Sequence, residues 1–229
     1  MKIINLSENN TIINQYLKEI RSIDIQNDSM RFRHNIERIG EMMAYEISKT
    51  LNYEQKEVVT PLGIANCQLP SDNIVVSTVL RAGLPLHNGI LNYFDRAQNA
   101  FVAAYRKYGK DNKFEIKMEY MTSPSLEGKV LIIADTMLAT GASLVLAYNK
   151  LLESGTPSEV HFVCPIASFY GVEYLSKNLP HKNITLWTGE PDMGEEHPDF
   201  QLSKTITPWG EAASWFDKVR EALNNEDYR

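Results

Sequence analysis

Between residues 129 and 189 the chain alternates continuous apolar runs with helix-patterned segments, and nothing else in it constrains the fold as strongly. "KVLIIAD" leads to "ASLVLAYNKLLESG", "EVHFVCPIAS" to "GVEYLSKNLP", and "NITLWTG" follows. The apolar runs do not alternate with polar residues, as a strand with one wet face would; they suit strands covered by helices on both faces. Strands taking turns with helices predict an α/β fold, a doubly wound and mostly parallel sheet with right-handed crossovers. Ligands of such sheets bind outside the carboxyl ends of the strands. Gly155 is placed to close the first of these helices.

The first half fits the same plan. "DSMRFRHNIERIGEMMAYEISKTLN" sets Phe32, Ile36, Ile39, Met43 and Ile47 at three- and four-residue steps, with Asp28 or Ser29 available as a cap, which predicts an amphipathic helix. "EVVTPLGIANCQL" predicts two short strands around a Pro-Leu-Gly turn. "DNIVVSTVL", "LPLHNGILNYF" and "NAFVAAYR" then resume the strand–helix–strand rhythm. "YGKDNKFEIKMEYMTSPSLEGK" is polar, charged and too long for a plain connection, so a flexible hairpin flap is expected over about 107–128, with a solvated surface excursion as the alternative. At 229 residues one domain over 1–229 is expected, opening with a helical segment over about 1–52.

A formal charge of -6 argues against a nucleic-acid or anionic-membrane surface, where a basic stripe would be needed. Cys164 sits inside an apolar run, far from Cys67, and reads as a reduced core filler. No secretory signal or membrane-length apolar run is apparent, which makes the cytoplasm the expected compartment. The acids Glu190, Asp192, Glu195, Glu196 and Asp199 read as a solvated loop, and His197 among them lacks the spaced partners of a transition-metal site.

Two loops at strand ends can carry chemistry. In "ADTMLATGAS" the backbone amides around Gly141 can form an anion nest at a helix N-terminus, and Thr140 and Ser143 can add hydroxyl donors. An ordinary turn whose Thr or Ser caps the helix is the plain alternative. No Gly-Lys-Ser/Thr and no Gly-x-Gly-x-x-Gly is present there, which weighs against nucleoside triphosphates and dinucleotides. Asp135, ending a buried strand, needs a partner, because an isolated buried carboxylate is costly. A ribose diol or a hydrated Mg²⁺ would serve beside a phosphate; helix capping is the alternative. In "VLRAGLP", Arg81 carries a guanidinium whose geometry matches phosphate oxygens, and Arg106 adds a second cation after "FVAAY".

These stretches resemble the uracil phosphoribosyltransferase family. "IIADTMLATGASL" is similar to that family's motif for 5-phosphoribosyl 1-diphosphate (PRPP), in which a single Asp opens a "DPMLATGGS"-like stretch. "VLRAGLP" resembles its pyrophosphate loop, "AYR" the segment before its flexible hairpin, and "RFRHNIERIGEMMAYE" its N-terminal helix. The resemblance runs from about residue 28 to 216. It implies a fold of the type I phosphoribosyltransferase kind and the reaction of uracil with PRPP to give UMP and diphosphate, in pyrimidine salvage. It also implies Asp135, Arg81 and Arg106 as catalytic residues. PRPP would be held by these three with Thr136, Met137, Leu138, Ala139, Thr140, Gly141, Ala142 and Ser143, and with Glu211. Mg²⁺ would be carried on the substrate diphosphate rather than by a direct protein cage. A homodimer, and GTP as a candidate effector, come with the resemblance alone.

The base-recognition segment, about 188–216, departs from the family. Where the family has a "PGLGDAGDR"-like stretch this chain has "ITPWGEAASWF": Gly210 and Ala212 match, but Glu211 stands for Asp, Ala213 for Gly and Ser214 for Asp. The uracil contacts implied are Ile206, Gly210, Glu211 and Ala212. Two further readings therefore stand beside the first: a phosphoribosyltransferase for another base, and a PRPP- or nucleotide-sensing regulator without turnover.

Overall fold

The computed structural model describes residues 1–108, 114–179 and 183–192. Its main sheet contains the strands β1 (Lys2–Asn5), β4 (Ile74–Leu80), β5 (Gln98–Tyr108), β6 (Phe114–Thr122), β7 (Val130–Ala134), β8 (Met137–Leu138), β9 (Glu159–Ser168) and β10 (Ile184–Asp192). They lie in the order β1-β10-β9-β7-β4-β5-β6, with the two-residue β8 paired to β9 off this path. Every pairing is parallel except β5 with β6. Strands β2 (Tyr53–Thr60) and β3 (Gly63–Pro70) form a separate antiparallel hairpin.

Among the described residues five helices cover the sheet: α1 (Ile13–Arg21), α2 (Ser29–Ser48), α3 (Leu84–Tyr93), α4 (Ala142–Leu151) and α5 (Phe169–Asn178). Alternation along β7 sorts them into two layers. Leu131 and Ile133 point into a core with Leu144, Tyr148 and Leu151 of α4 and Leu175 of α5. Ile132 and Ala134 point the other way, onto Ile36, Ile39 and Met43 of α2, Leu17 of α1 and Leu86 and Ile90 of α3. Because β7 has all five residues buried, it reads as one apolar run. The doubly wound sheet expected from the sequence is thus present. So is the capped helix at 29, where the Asp28 side chain accepts from Arg31 N at 3.0 Å.

Several boundaries differ from the sequence expectation. The segment 1–52 is not wholly helical: it opens with β1, which pairs with β10 through Lys2–Thr185 to Asn5–Thr188. Four residues are too few to show a period, and the partner lies at the far end of the chain. The excursion over 107–128 divides into two parts. β5 and β6 form the hairpin, but beyond Thr122 the chain returns to the body, with Leu126 fully buried, Leu126 N donating to Ser154 O and Gly128 N to Thr156 O. Glu190 and Asp192 belong to β10, opposite Ile166 and Ser168, and not to a loop. Gly155 does end the helical run, but one 3₁₀ turn past α4 and at φ 127°, outside the left-handed helical well. Cys164 is a free thiol at full burial, which pushes its pKa up. No described helix is long and apolar enough to cross a membrane.

Candidate active site

The sheet order creates a crevice. From β4 the chain crosses by α3 to β5, and from β7 it crosses by α4 to β9, so the two connections leave neighbouring strands in opposite directions. Right-handed crossovers in opposite directions put α3 and α4 on opposite faces and leave a gap between the carboxyl ends of β4 and β7. Arg81 follows β4, and Asp135 follows β7.

Asp135 is half-buried, yet its carboxyl is desolvated enough to raise its pKa from 3.8 to about 7; one backbone hydrogen bond, from Thr136 N to Oδ1 at 2.8 Å, works in the opposite direction. Its own N–H donates to Val163 O at 3.0 Å. Thr136 is buried, and its Oγ1 has no hydrogen-bond partner among the described residues. The chain does not turn straight into α4. Met137 and Leu138 first pair with Ile166 and Ala167 of β9 and send their side chains into the two cores, so only their backbone can face a ligand.

Ala139, Thr140 and Gly141 then form the loop proper, with Thr140 exposed and Ala139, Ala142 and Ser143 half-buried. Gly141 is the N-cap of α4, at φ 77°, and no side chain caps the helix there. The plain alternative of a Thr or Ser cap is therefore not what is found. The first-turn N–H groups of α4 have no carbonyl partner within the helix and point out of its N-terminus, where the helix dipole favours an anion. The loop is held from behind by α5. Ser168, the N-cap of α5, donates to Ala139 O and accepts from Gly171 N at 3.0 Å. A Cβ on Gly141 would stand 2.7 Å from Leu175 Cδ1 and 3.0 Å from Gly171 O, so the turn needs glycine for space as well as for φ.

Across the crevice, the exposed Arg81 starts the turn into α3, after a Leu80–Arg81 peptide that is cis. Leu84 N closes the turn on Arg81 O at 3.2 Å. Arg106 is placed differently from expectation. It does not end a strand: β4 accompanies β5 only as far as Ala103, and Arg106 lies three residues on, in the hairpin, paired with Ile116. At about 3.3 Å per residue that is roughly 10 Å past the sheet edge. Only its backbone is described.

The structure therefore brings together the loops of Arg81 and Asp135 and residues 136–143, and carries Arg106 out on the hairpin. Ile206, Gly210, Glu211 and Ala212 lie outside the described residues, as does the tip of the flap, 109–113. Sequence reasoning missed Ser168, which closes the run "EVHFVCPIAS" as if it were its last core residue, and Thr78, inside "IVVSTVL". Thr78 Oγ1 donates to Ala134 O at 2.9 Å. A hydroxyl at the end of an apolar run was the available signal in both cases.

The chain is similar to several known proteins. The family described as uracil phosphoribosyltransferase (UPRTase) matches residues 7–199. The uracil phosphoribosyltransferase of Porphyromonas gingivalis is 50% identical over 192 residues, covering 84% of this chain and 88% of that protein. That of Thermococcus gammatolerans is 33% identical over 192 residues, covering 82% and 84%. Among solved structures, the AQ2163 protein of Aquifex aeolicus superposes with a TM-score of 0.72 at 28% identity, over 83% of this chain and 87% of its own.

Proposed function

The chain belongs to the uracil phosphoribosyltransferase family, and from that premise we propose how its residues carry out the transfer of a ribose 5-phosphate from PRPP to uracil. Uracil N1 forms the new bond to the ribose C1, the C1–O bond to diphosphate breaks with its electron pair on the leaving oxygen, and the N1 proton is lost. Positive charge grows on the ribose and negative charge on the leaving group, so fixed electrostatics can supply most of the acceleration.

The observation that carries the reading is the pairing of one desolvated carboxyl, Asp135, with the uncapped N-terminus of α4 at the mouth of the β4–β7 crevice. The 5′-phosphate takes the amides from Ala139 to Ser143 and the hydroxyls of Thr140 and Ser143. Asp135 accepts from the ribose hydroxyls, whose hydrogen bonds offset the desolvation of its carboxyl. The Arg81 guanidinium neutralises the diphosphate, and Arg106 brings a second cation when the β5–β6 hairpin closes and excludes water from the cationic ribose. Among the described residues no three His, Cys, Asp or Glu side chains gather as a metal cage. Mg²⁺ would be carried on diphosphate oxygens and water, where it would offset leaving-group charge.

Base choice belongs to the segment from Ile206 to Ala212, which follows the end of the family match at residue 199. The test is diphosphate release from PRPP and Mg²⁺ with a panel of bases. Release with uracil alone is expected; release with another base would reassign the substrate, and PRPP binding without release would make the protein a sensor. A homodimer is part of the same reading, supported by the β2–β3 hairpin, which stands outside the main sheet with Val59, Leu62 and Ile64 exposed. A lone two-stranded hairpin is marginal in water, and a second copy would cover it. GTP control is tested by PRPP saturation curves with and without the nucleotide, and a cytoplasmic location by fractionation.

A further inference from the structure

The two ligand loops of the proposed site meet at one buried hydroxyl. Thr78 is the last residue of β4 to pair with β7, opposite Ala134, and both are fully buried. Thr78 Oγ1 donates to Ala134 O at 2.9 Å. The N–H of the same peptide unit, that of Asp135, donates to Val163 O on β9 at 3.0 Å. The peptide that introduces Asp135 is therefore held by its carbonyl from one neighbouring strand and by its N–H from the other.

The Arg81 turn rests on this same hydrogen bond. A Cβ on Gly83 would fall 2.1 Å from Thr78 Oγ1 and 2.9 Å from Ala134 O, and Gly83 N reaches back to Val79 O at 3.3 Å. Nothing separates the turn from the hydroxyl and the carbonyl it binds, so a displacement of either is passed on to the other.

We infer that Thr78 is a positioning residue for the transfer reaction: its hydroxyl couples the loop of Arg81 to the strand end that carries Asp135, and so sets the spacing between the diphosphate and the ribose contacts. The inference rests on the roles assigned to those two residues above. Valine has nearly the shape of threonine but places a methyl where the hydroxyl was. Carbon contacts a carbonyl oxygen at about 3.3–3.6 Å, so the 2.9 Å approach would be lost and the buried Ala134 carbonyl would lose its hydroxyl donor. Gly83, already in contact, would have to move with it.

The experiment compares Thr78→Val, Thr78→Ser and Asp135→Asn in steady-state diphosphate release, varying PRPP and uracil separately, with thermal unfolding of each. Thr78→Val is expected to lower kcat/KM for PRPP by about tenfold or more, chiefly through KM, with the KM for uracil changed by less than about twofold. Thr78→Ser, which keeps the donor, is expected to stay within about threefold of the parent. Equal kcat/KM for the Val and Ser variants, or equal losses for both substrates that follow the fall in melting temperature, would reduce Thr78 to a structural residue. Near-native turnover in Asp135→Asn overturns the reading of the site itself. A large loss there, beside an unaffected Thr78→Val, overturns only the coupling. If the Val variant yields no folded protein, Thr78→Ala against Thr78→Ser makes the same comparison.

Discussion

Replacing Gly141 with alanine tests whether the proposed phosphate loop is as tightly held as its geometry implies. Two costs add at this position. A residue with a Cβ pays about 1–2 kcal/mol to adopt the left-handed conformation, and Gly141 has φ 77°. The new methyl would also press on Leu175 Cδ1 at 2.7 Å, Gly171 O at 3.0 Å and Tyr174 Cδ1 at 3.1 Å. The leucine can rotate aside, but the carbonyl is backbone inside α5, and forced overpacking costs about 1–3 kcal/mol. The sum is about 2–5 kcal/mol, or on the order of 10 °C in melting temperature for a chain of this size. Gly128 offers an internal control: its φ is 67°, with nothing within 4 Å of the place a Cβ would take, so Gly128→Ala should lose only the conformational part. Urea unfolding followed by circular dichroism would measure both. Because relief of the clash must tilt α4 away from α5, Gly141→Ala should also raise the KM for PRPP, whereas Gly128→Ala should not. Equal destabilisation of the two variants would refute the packing argument, and a Gly141→Ala protein as stable as its parent would refute both parts.

Asp135→Asn should cut turnover at least tenfold, about 1.4 kcal/mol of barrier, in a diphosphate-release assay. With its carboxyl held up to about 7 in the folded chain, against 3.8, the folded state binds this proton more tightly than the unfolded one. The contribution of this group to stability should therefore be fullest below about pH 4 and be lost as pH rises through about 7, by up to roughly 1.4 kcal/mol per pH unit; the difference in urea midpoint between the parent and Asp135→Asn should move against the parent across that window. If the proposed homodimer is built on the exposed hairpin, Val59→Glu and Leu62→Glu should lower the mass seen in light scattering from that of two chains to that of one; an unchanged mass would refute that use of the hairpin.

What could be read from the sequence depended on how local its cause was. The strand β7 and helix α4 were legible because burial on both faces leaves an unbroken apolar run and because Leu144, Ala147, Tyr148 and Leu151 recur at helical steps. The helix α2 announced itself by period and by the Asp28 cap. β1 did not, since its strand state comes from pairing with Thr185 to Thr188, and β8 did not, since Met137 and Leu138 become a strand only beside Ile166 and Ala167. α1 lies within the stretch expected to be helical, with Ile13, Leu17 and Ile20 at helical spacing. Within the site, Asp135 and Gly141 stood out by residue type at a strand end and a helix start. Thr78 and Ser168 act through bonds to carbonyls 56 and 29 residues away in sequence, and no local pattern encodes such partners.

The crevice holds three features that are each unfavourable alone. A carboxyl sits where its charge is penalised, the Thr136 hydroxyl is buried without a partner among the described residues, and α4 begins without a side-chain cap. Buried polar groups are ordinarily satisfied, so their concentration over two adjacent turns calls for a cause. The proposed function offers one: phosphate oxygens of a phosphorylated sugar would accept from the α4 amides, and its diol hydroxyls would donate to Asp135. Natural folds break local rules at functional sites and compensate elsewhere. Here the compensation is rigid, with Thr78 and Val163 fixing the peptide before Asp135 and Ser168 fixing Ala139. A site whose unsatisfied groups cannot relax towards one another keeps them directed at the ligand, which is what electrostatic preorganisation requires.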